Sequence, residues 1–185
     1  MTKSRNIVVI AASLRRGNSE RLGDAFIEGA RAAGHHVEKI SLQTKKIRYC
    51  TGCEACAVTG LCVFSDDAPD IAEKIMNADA VVFALPVYFG SIPGQLKTLF
   101  DRMTPYFRKP YRFRKVVVLA CADQDRRDMF TGVKQSVESW LYAFSKAKLT
   151  DTLFVGGVNH AGDIEGHPAL KQAEALGKNL YSIQP

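Results

Sequence analysis

Four cysteines within thirteen residues form the most distinctive chemical pattern in this sequence: Cys50, Cys53, Cys56 and Cys62. Three thiolates at successive three-residue steps can reach three corners of one iron–sulfur cubane, and a later cysteine can close the fourth. Zinc is a weaker alternative, because structural zinc sites usually use two well-separated C-x₂-C pairs. Free or reversibly oxidised thiols are the other alternative.

A polar loop at residues 13–19 has the composition of an anion site. It lies between an apolar run and a helical pattern, and free backbone N–H groups at a helix N-terminus favour an anion. Ser13, Asn18 and Ser19 add short donors, Arg15 can supply charge, and Gly17 tolerates the backbone angles of a tight loop. Neither G-x-G-x-x-G nor G-x-x-x-x-G-K-[ST] occurs, which argues against a dinucleotide fingerprint and a P-loop. A capped turn that binds nothing is the alternative.

A second loop combines a proline, two aromatic residues and a glycine directly after an apolar run. Its residues are Pro86, Val87, Tyr88, Phe89, Gly90 and Ser91. Backbone amides exposed beside ring surfaces suit a flat heteroaromatic ligand with polar edges. A hydrophobic loop that only covers the end of a sheet is the alternative.

The elements that position these loops alternate regularly along the chain. Apolar runs predict strands at residues 6–12, 35–42, 78–85, 116–121 and 153–158, each apolar enough to be central. Helical periodicity follows each run, with Ser65 as the expected N-cap of the second main helix and Pro168 at the start of the last. Such alternation predicts one doubly wound α/β domain over residues 1–185, with ligands bound beyond the carboxyl ends of its strands.

Composition narrows the class of protein. Of the 185 residues, 46% are hydrophobic and 24% charged, as in ordinary globular proteins. No apolar run approaches the ~20 residues of a membrane span, and no signal-peptide pattern is visible, so we expect a cytoplasmic protein without a membrane partner. The net charge of +6 comes without a nucleic-acid-binding motif. The basic stretch at residues 108–115 is therefore interpreted as a solvated loop rather than a phosphate-steering or interface patch.

Together the two loops resemble the NAD(P)H-dependent FMN reductase branch of the flavodoxin-like superfamily. The matching stretches are Ser13-x-Arg15-x-Gly17-Asn18-Ser19, then residues 86–91, then Gln95-Leu96-Lys97-x-x-x-Asp101-Arg102. The resemblance is strong over residues 5–104 and continues beyond them only in the alternation of elements. It implies a five-stranded parallel sheet in the order 2-1-3-4-5.

The resemblance also assigns residues to an FMN site. Ser13, Arg15, Asn18 and Ser19, with Gly17 in the same loop, would hold the phosphate, and residues 86–91 would border the isoalloxazine through backbone groups. Two positions depart from the family. Ala12 replaces a common glycine, and the third flavin loop, residues 122–127, lacks the usual glycines.

The cysteine spacing is similar to that of the iron–sulfur flavoproteins, a group within the same family. This implies a [4Fe–4S] cluster on Cys50, Cys53, Cys56 and Cys62, with free thiols still the alternative. The fifth cysteine, Cys121, follows a strand and is expected in the core.

The function implied is an FMN-dependent oxidoreductase. It would take hydride from NAD(P)H and pass electrons to a quinone, flavin or iron–sulfur acceptor, as a homo-oligomer (dimer or tetramer) acting on small molecules. No catalytic acid or base is required, so His35, His36, His160 and His167 are interpreted as surface or packing residues. One rival function is a flavodoxin-type electron carrier, which the positive charge disfavours because such carriers tend to be acidic. The other is an interaction protein that has lost the flavin.

Overall fold

Five parallel strands run through the middle of the protein, in a computed structural model that describes residues 3–182. The strands are β1 (Asn6–Ala11), β2 (His36–Ser41), β3 (Ala80–Pro86), β4 (Lys115–Cys121) and β5 (Lys148–Val155). The helices are α1 (Asn18–Ala32), α2 (Ala55–Thr59), α3 (Asp67–Asn77), α4 (Gly94–Arg102), α5 (Thr131–Leu141) and α6 (Pro168–Asn179).

The sheet has the order β2-β1-β3-β4-β5, with every neighbouring pair parallel. This confirms the predicted order and the doubly wound fold. Parallel strands need a crossover between them, and a helix supplies each one. All five strands therefore end at the same edge of the sheet, where the loops that follow them lie together.

Alternate residues of the central strands face two separate hydrophobic layers. On β1, Val8 and Ile10 pack with residues of α3, α4 and α5, whereas Ile7 and Val9 pack with residues of α1 and α6. Because β1, β3 and β4 are covered on both faces, nearly all of their residues are apolar.

Glycines allow α1 and α6 to pack with their backbones in close contact. A Cβ atom on Gly29 would overlap the carbonyl oxygen of Glu174, and one on Gly177 would overlap that of Phe26. Only glycine has no Cβ, so both positions are needed for this approach. The last helix of the chain is thereby held against the helix that follows the polar loop at residues 13–19.

The edges of the sheet differ from the sequence-based expectation. β2 and β5 lie at the edges and are half exposed, so the prediction that every strand is central was wrong for these two. β5 begins at Lys148, whereas the prediction placed its start at residue 153. The first residues of this edge strand alternate between exposed and partly buried positions, so they do not form the apolar run on which the prediction was based. Helix α3 is capped by Asp66 instead of Ser65: the Asp66 carboxylate accepts a hydrogen bond from Ala68 N (3.1 Å). Among residues 3–182, no helix has the length and apolar character required to cross a bilayer.

Candidate functional site

A cavity of about 380 Å³ opens at the carboxyl ends of the strands, within the size range of small-molecule sites. Nine residues predicted from the sequence line it: Ser13, Arg15, Gly17, Asn18, Ser19, Pro86, Val87, Tyr88 and Phe89. Gly90 and Ser91 continue the same loop but do not line the cavity. The structure thus brings together two loops that are far apart in the sequence.

Helix α1 begins beside the cavity without a side-chain cap. Its N-cap, Gly17, has an extended backbone (φ −151°, ψ −161°), and no side chain accepts from the first N–H groups of the helix. Ser13 and Ser19 are buried next to these groups, each 4% exposed. Uncapped N–H groups, the helix dipole and two buried hydroxyls form an environment that favours an anion.

Two polar side chains of this loop have partners in the segment between β5 and α6. The Asn18 amide donates to His160 O (2.8 Å) and accepts from Gly162 N (3.2 Å) and Ile164 N (3.3 Å). The Arg15 guanidinium donates to Asn159 O (2.7 Å). These side chains therefore anchor the loop to the backbone of residues 159–164, a role that the sequence did not indicate. Their proposed contribution to phosphate binding stays a prediction.

The segment between β5 and α6 also contributes to the site, and sequence reasoning missed it. Val158 and Asn159 line the cavity. The Asp163 carboxylate accepts from the backbone N–H groups of His160 (2.7 Å) and Asn159 (2.9 Å), and these bonds lower the pKa of Asp163. The available signal was its glycine-rich, polar composition directly after the last strand, at the edge where the other loops end.

The second loop contains an unusual aromatic residue. Phe89 has a φ of +49° and its side chain is fully exposed, while Gly90 follows at φ +70°. Paired hydrogen bonds between Tyr88 and Ser91 (3.1 and 3.0 Å) close the turn. A bulky residue in the left-handed region is strained, and such strain is concentrated at functional sites. The Phe89 ring is not buried, so side-chain packing does not offset the strain of its backbone conformation.

Part of the cavity lining is apolar and buried. Cys121 and Ala122 are each 4% exposed, and burial raises the pKa of the Cys121 thiol to about 12. The expectation of a buried Cys121 is confirmed. Its thiol stays neutral near pH 7 and so adds no charge to the cavity. Asp123 and Gln124 of the third loop supply the polar rim on this side.

The four predicted metal ligands lie outside this cavity, on the segment between β2 and α3. Cys50 and Cys53 are exposed, Cys56 and Cys62 are half-buried, and all four are free thiols. Within residues 3–182, no group of three or more His, Cys, Asp or Glu side chains is gathered as a metal site. Soft thiolates are the donors that iron–sulfur clusters use, so the donor set fits such a cluster although the thiols are not gathered around one point.

A buried ion pair closes the base of the cysteine segment. Arg102, at the end of α4, donates to both carboxylate oxygens of Asp66 (2.7 and 2.9 Å). Both side chains are almost fully buried, at 1% and 7% exposure. Burial alone would raise the pKa of Asp66, but hydrogen bonds from Arg102 and from the backbone of Arg48 and Ala68 outweigh it and hold that pKa below its usual value.

The amino-acid sequence matches a known protein family. Residues 5–147 match the family described as NADPH-dependent FMN reductase. The chain is 32% identical over 165 residues to an iron–sulfur flavoprotein of Methanosarcina thermophila, covering 88% of this chain and 83% of that protein. It is 37% identical over 102 residues to an iron–sulfur flavoprotein of Archaeoglobus fulgidus, covering 55% of this chain but 46% of that protein.

A solved structure shares the fold along its whole length. The NAD(P)H:quinone oxidoreductase of Methanothermobacter marburgensis superimposes with a TM-score of 0.71 at 22% identity, covering 99% of this chain and 100% of that one. The flavodoxin-like fold predicted from the sequence is confirmed.

We predict that Phe89→Asn stabilises the ligand-free protein by about 1 kcal/mol, because asparagine tolerates a left-handed backbone and no packing is lost. Urea unfolding of the variant and the wild type measures the difference. Tyr142→Asn is the matched control, since Tyr142 is 88% exposed but has an ordinary φ of −56°. A Phe89→Asn protein no more stable than the control would contradict the strain at this position.

Proposed function

The chain belongs to the NADPH-dependent FMN reductase family, and from that premise we propose that its cavity binds FMN, which NAD(P)H reduces. We further propose that the electrons pass to a quinone, a flavin or an iron–sulfur acceptor. The observation that carries this proposal is the uncapped start of α1 beside a cavity of about 380 Å³ at the carboxyl ends of the strands.

The residues of the cavity suit the two ends of FMN. The N–H groups at the start of α1 and the buried Ser19 hydroxyl would hold the phosphate, while Arg15 and Asn18 keep the loop in place. Backbone groups of residues 86–89, which line the cavity, would border the isoalloxazine ring, and Gly90 and Ser91 would close the turn behind them. When bound, FMN supplies the hydride and electron transfer chemistry.

The protein itself would orient the ring and shield one side of it from water. Cys121 and Ala122 line the cavity, are buried and carry no charge, so they would exclude water from the ring where they contact it. No acid or base is needed for this role. The histidine nearest the loop, His160, contacts it through its backbone carbonyl, which accepts a hydrogen bond from the Asn18 amide, and not through its imidazole.

We also propose that Cys50, Cys53, Cys56 and Cys62 hold a [4Fe–4S] cluster. Four soft donors lie on one short segment, and two relatives are named iron–sulfur flavoproteins. The exposed segment would have to close around the cluster, since the thiols are not gathered in the described residues. Family resemblance further leads us to propose a cytoplasmic homo-oligomer, a dimer or tetramer, that acts on small molecules.

We predict that Ser19→Ala weakens FMN binding at least about tenfold, because a hydrogen bond to a charged group contributes about 1.5–3 kcal/mol. Quenching of FMN fluorescence on titration with apoprotein measures the affinity. Ser145→Ala, which removes an exposed serine far along the chain, is the control. Equal affinities for the two variants would remove Ser19 from the phosphate site.

We expect excess NADH or NADPH to bleach the visible absorption of the bound flavin under anaerobic conditions, and quinones or ferric compounds to restore it. A stopped-flow spectrophotometer records both half-reactions. If dithionite reduces the flavin but neither nicotinamide does, the protein is an electron carrier and the reductase proposal fails. If purified protein takes up no FMN, the cavity serves another ligand.

Anaerobic reconstitution should load about four iron and four sulfide per chain if the cluster proposal holds. Cys53→Ser should lower both contents without abolishing FMN binding, because the phosphate loop lies elsewhere. Cys121→Ala, which alters the remaining cysteine, should leave the iron content unchanged. Iron and sulfide near zero in the wild type after reconstitution would refute the cluster and leave free thiols as the remaining interpretation.

A further inference from the structure

We propose that Asp163 is a positioning residue for the phosphate site: its carboxylate fixes the turn at residues 159–162, and the backbone of that turn holds Arg15 and Asn18. The proposal rests on the FMN site proposed above and deepens it, because it names a residue on which the preference for FMN over riboflavin depends. Asp163 is not among the residues that line the cavity, so it would act without touching FMN.

Asp163 closes this turn through both its side chain and its backbone. The carboxylate oxygen Oδ2 accepts from the backbone N–H groups of His160 (2.7 Å) and Asn159 (2.9 Å). The backbone N–H of Asp163 donates to His160 O (3.2 Å). Aspartate often forms such bonds to the backbone three and four residues earlier. Here they hold the peptide groups on both sides of His160.

The same two peptide groups hold the side chains of the polar loop. The peptide between Asn159 and His160 donates its N–H to the carboxylate, and its carbonyl accepts from the Arg15 guanidinium (2.7 Å). The next carbonyl, His160 O, accepts from Asn18 Nδ2 (2.8 Å) as well as from Asp163 N. A peptide group is planar and rigid, so one that rotates after the loss of Asp163 also turns its carbonyl away from the loop.

The backbone around Asp163 also binds the other end of the Asn18 amide. Asn18 Oδ1 accepts from Gly162 N (3.2 Å) and Ile164 N (3.3 Å), the residues on either side of Asp163. Gly162 has a φ of +97°, in the left-handed range that favours glycine, and the Ile164 side chain is fully buried. Asp163 therefore lies between the two N–H groups that orient Asn18, in a turn whose far end is fixed in the core.

Asn18 links this turn to the proposed phosphate site, because it is the first residue of α1 and is only 6% exposed. A shift of Asn18 would move the first N–H groups of α1, which are the proposed phosphate donors. Hydrogen bonds weaken steeply when the donor angle departs from linearity. Loss of Asp163 should therefore weaken the contacts with the phosphate and spare those between residues 86–89 and the ring.

The sign of the effect distinguishes positioning from simple electrostatics. Asp163 is negative, so its removal would strengthen the binding of a phosphate if charge alone mattered. Glu165, two residues further on, offers the comparison. Its side chain is 58% exposed and pairs with Arg21 (3.3 Å), and among the contacts of residues 3–182 it makes no hydrogen bond to the turn.

The test compares Asp163→Ala with Glu165→Ala, which removes an equal charge from the same segment. Fluorescence titration of each apoprotein measures the Kd of FMN and that of riboflavin, which has the same ring but no phosphate. We expect Asp163→Ala to weaken FMN binding roughly tenfold and to change riboflavin binding less than about twofold. Asp163→Asn, whose side-chain oxygen still accepts hydrogen bonds, should recover most of the FMN affinity. Glu165→Ala should bind FMN at least as tightly as the wild type.

A second measurement uses the apoprotein alone and does not depend on FMN. The side-chain amide resonances of Asn18 in ¹⁵N NMR spectra should move toward those of a free asparagine amide in Asp163→Ala, and should stay in place in Glu165→Ala. If the wild type binds riboflavin as tightly as FMN, the proposed phosphate site fails, and the NMR comparison then decides the role of Asp163 by itself. Unmoved Asn18 resonances in Asp163→Ala, an FMN affinity equal to that of Glu165→Ala, or equal weakening of FMN and riboflavin would overturn the inference.

Discussion

The hydrogen-bond ladder of the sheet continues past the strands into the loops, and this continuation holds the candidate site together. Ala12 N donates to Ala84 O (2.8 Å), Val87 N to Cys121 O (2.8 Å) and Ala122 N to Val155 O (2.9 Å). Each bond fixes the first residues of a loop to the end of the neighbouring strand. Parallel strands end at one edge, so these loops begin in register with each other before their side chains make any contact.

The cysteine segment depends on a different kind of constraint. It has little regular structure and few apolar contacts, and its base is instead organised by the buried pair of Arg102 and Asp66. Removing two charges from water is costly, and the cost is offset only when the remaining polar groups are also paired. Asp66 accepts four hydrogen bonds here, two from Arg102 and one each from the backbone N–H groups of Arg48 and Ala68. Four of the five N–H groups of Arg102 donate, and Nε–H is the one without a partner among the described residues.

Sequence patterns predicted those parts of the protein in which burial is complete. The central strands read as apolar runs because both faces are covered, and Gly17, Asn18 and Ser19 lie at the start of α1 as the polar loop predicted. The edge strand β5 was placed too late because its first residues alternate between core and solvent. Long-range polar contacts could not be predicted: Asn18 binds backbone groups more than 140 residues further along the chain, and no local pattern encodes such a partner.

The contact between α1 and α6 has a consequence for the order in which the protein is completed during synthesis. The loop at the start of α1 is translated well before residues 159–164, which anchor its Asn18 and Arg15 side chains, and before α6, which packs on α1 through Gly29 and Gly177. A nascent chain that has emerged only as far as β3 therefore contains the anion loop without the residues that anchor it. The site is assembled only when residues 159–164 and α6 have emerged and packed against α1, so a chain synthesised only to β3 lacks the contacts that hold the loop in place for a ligand.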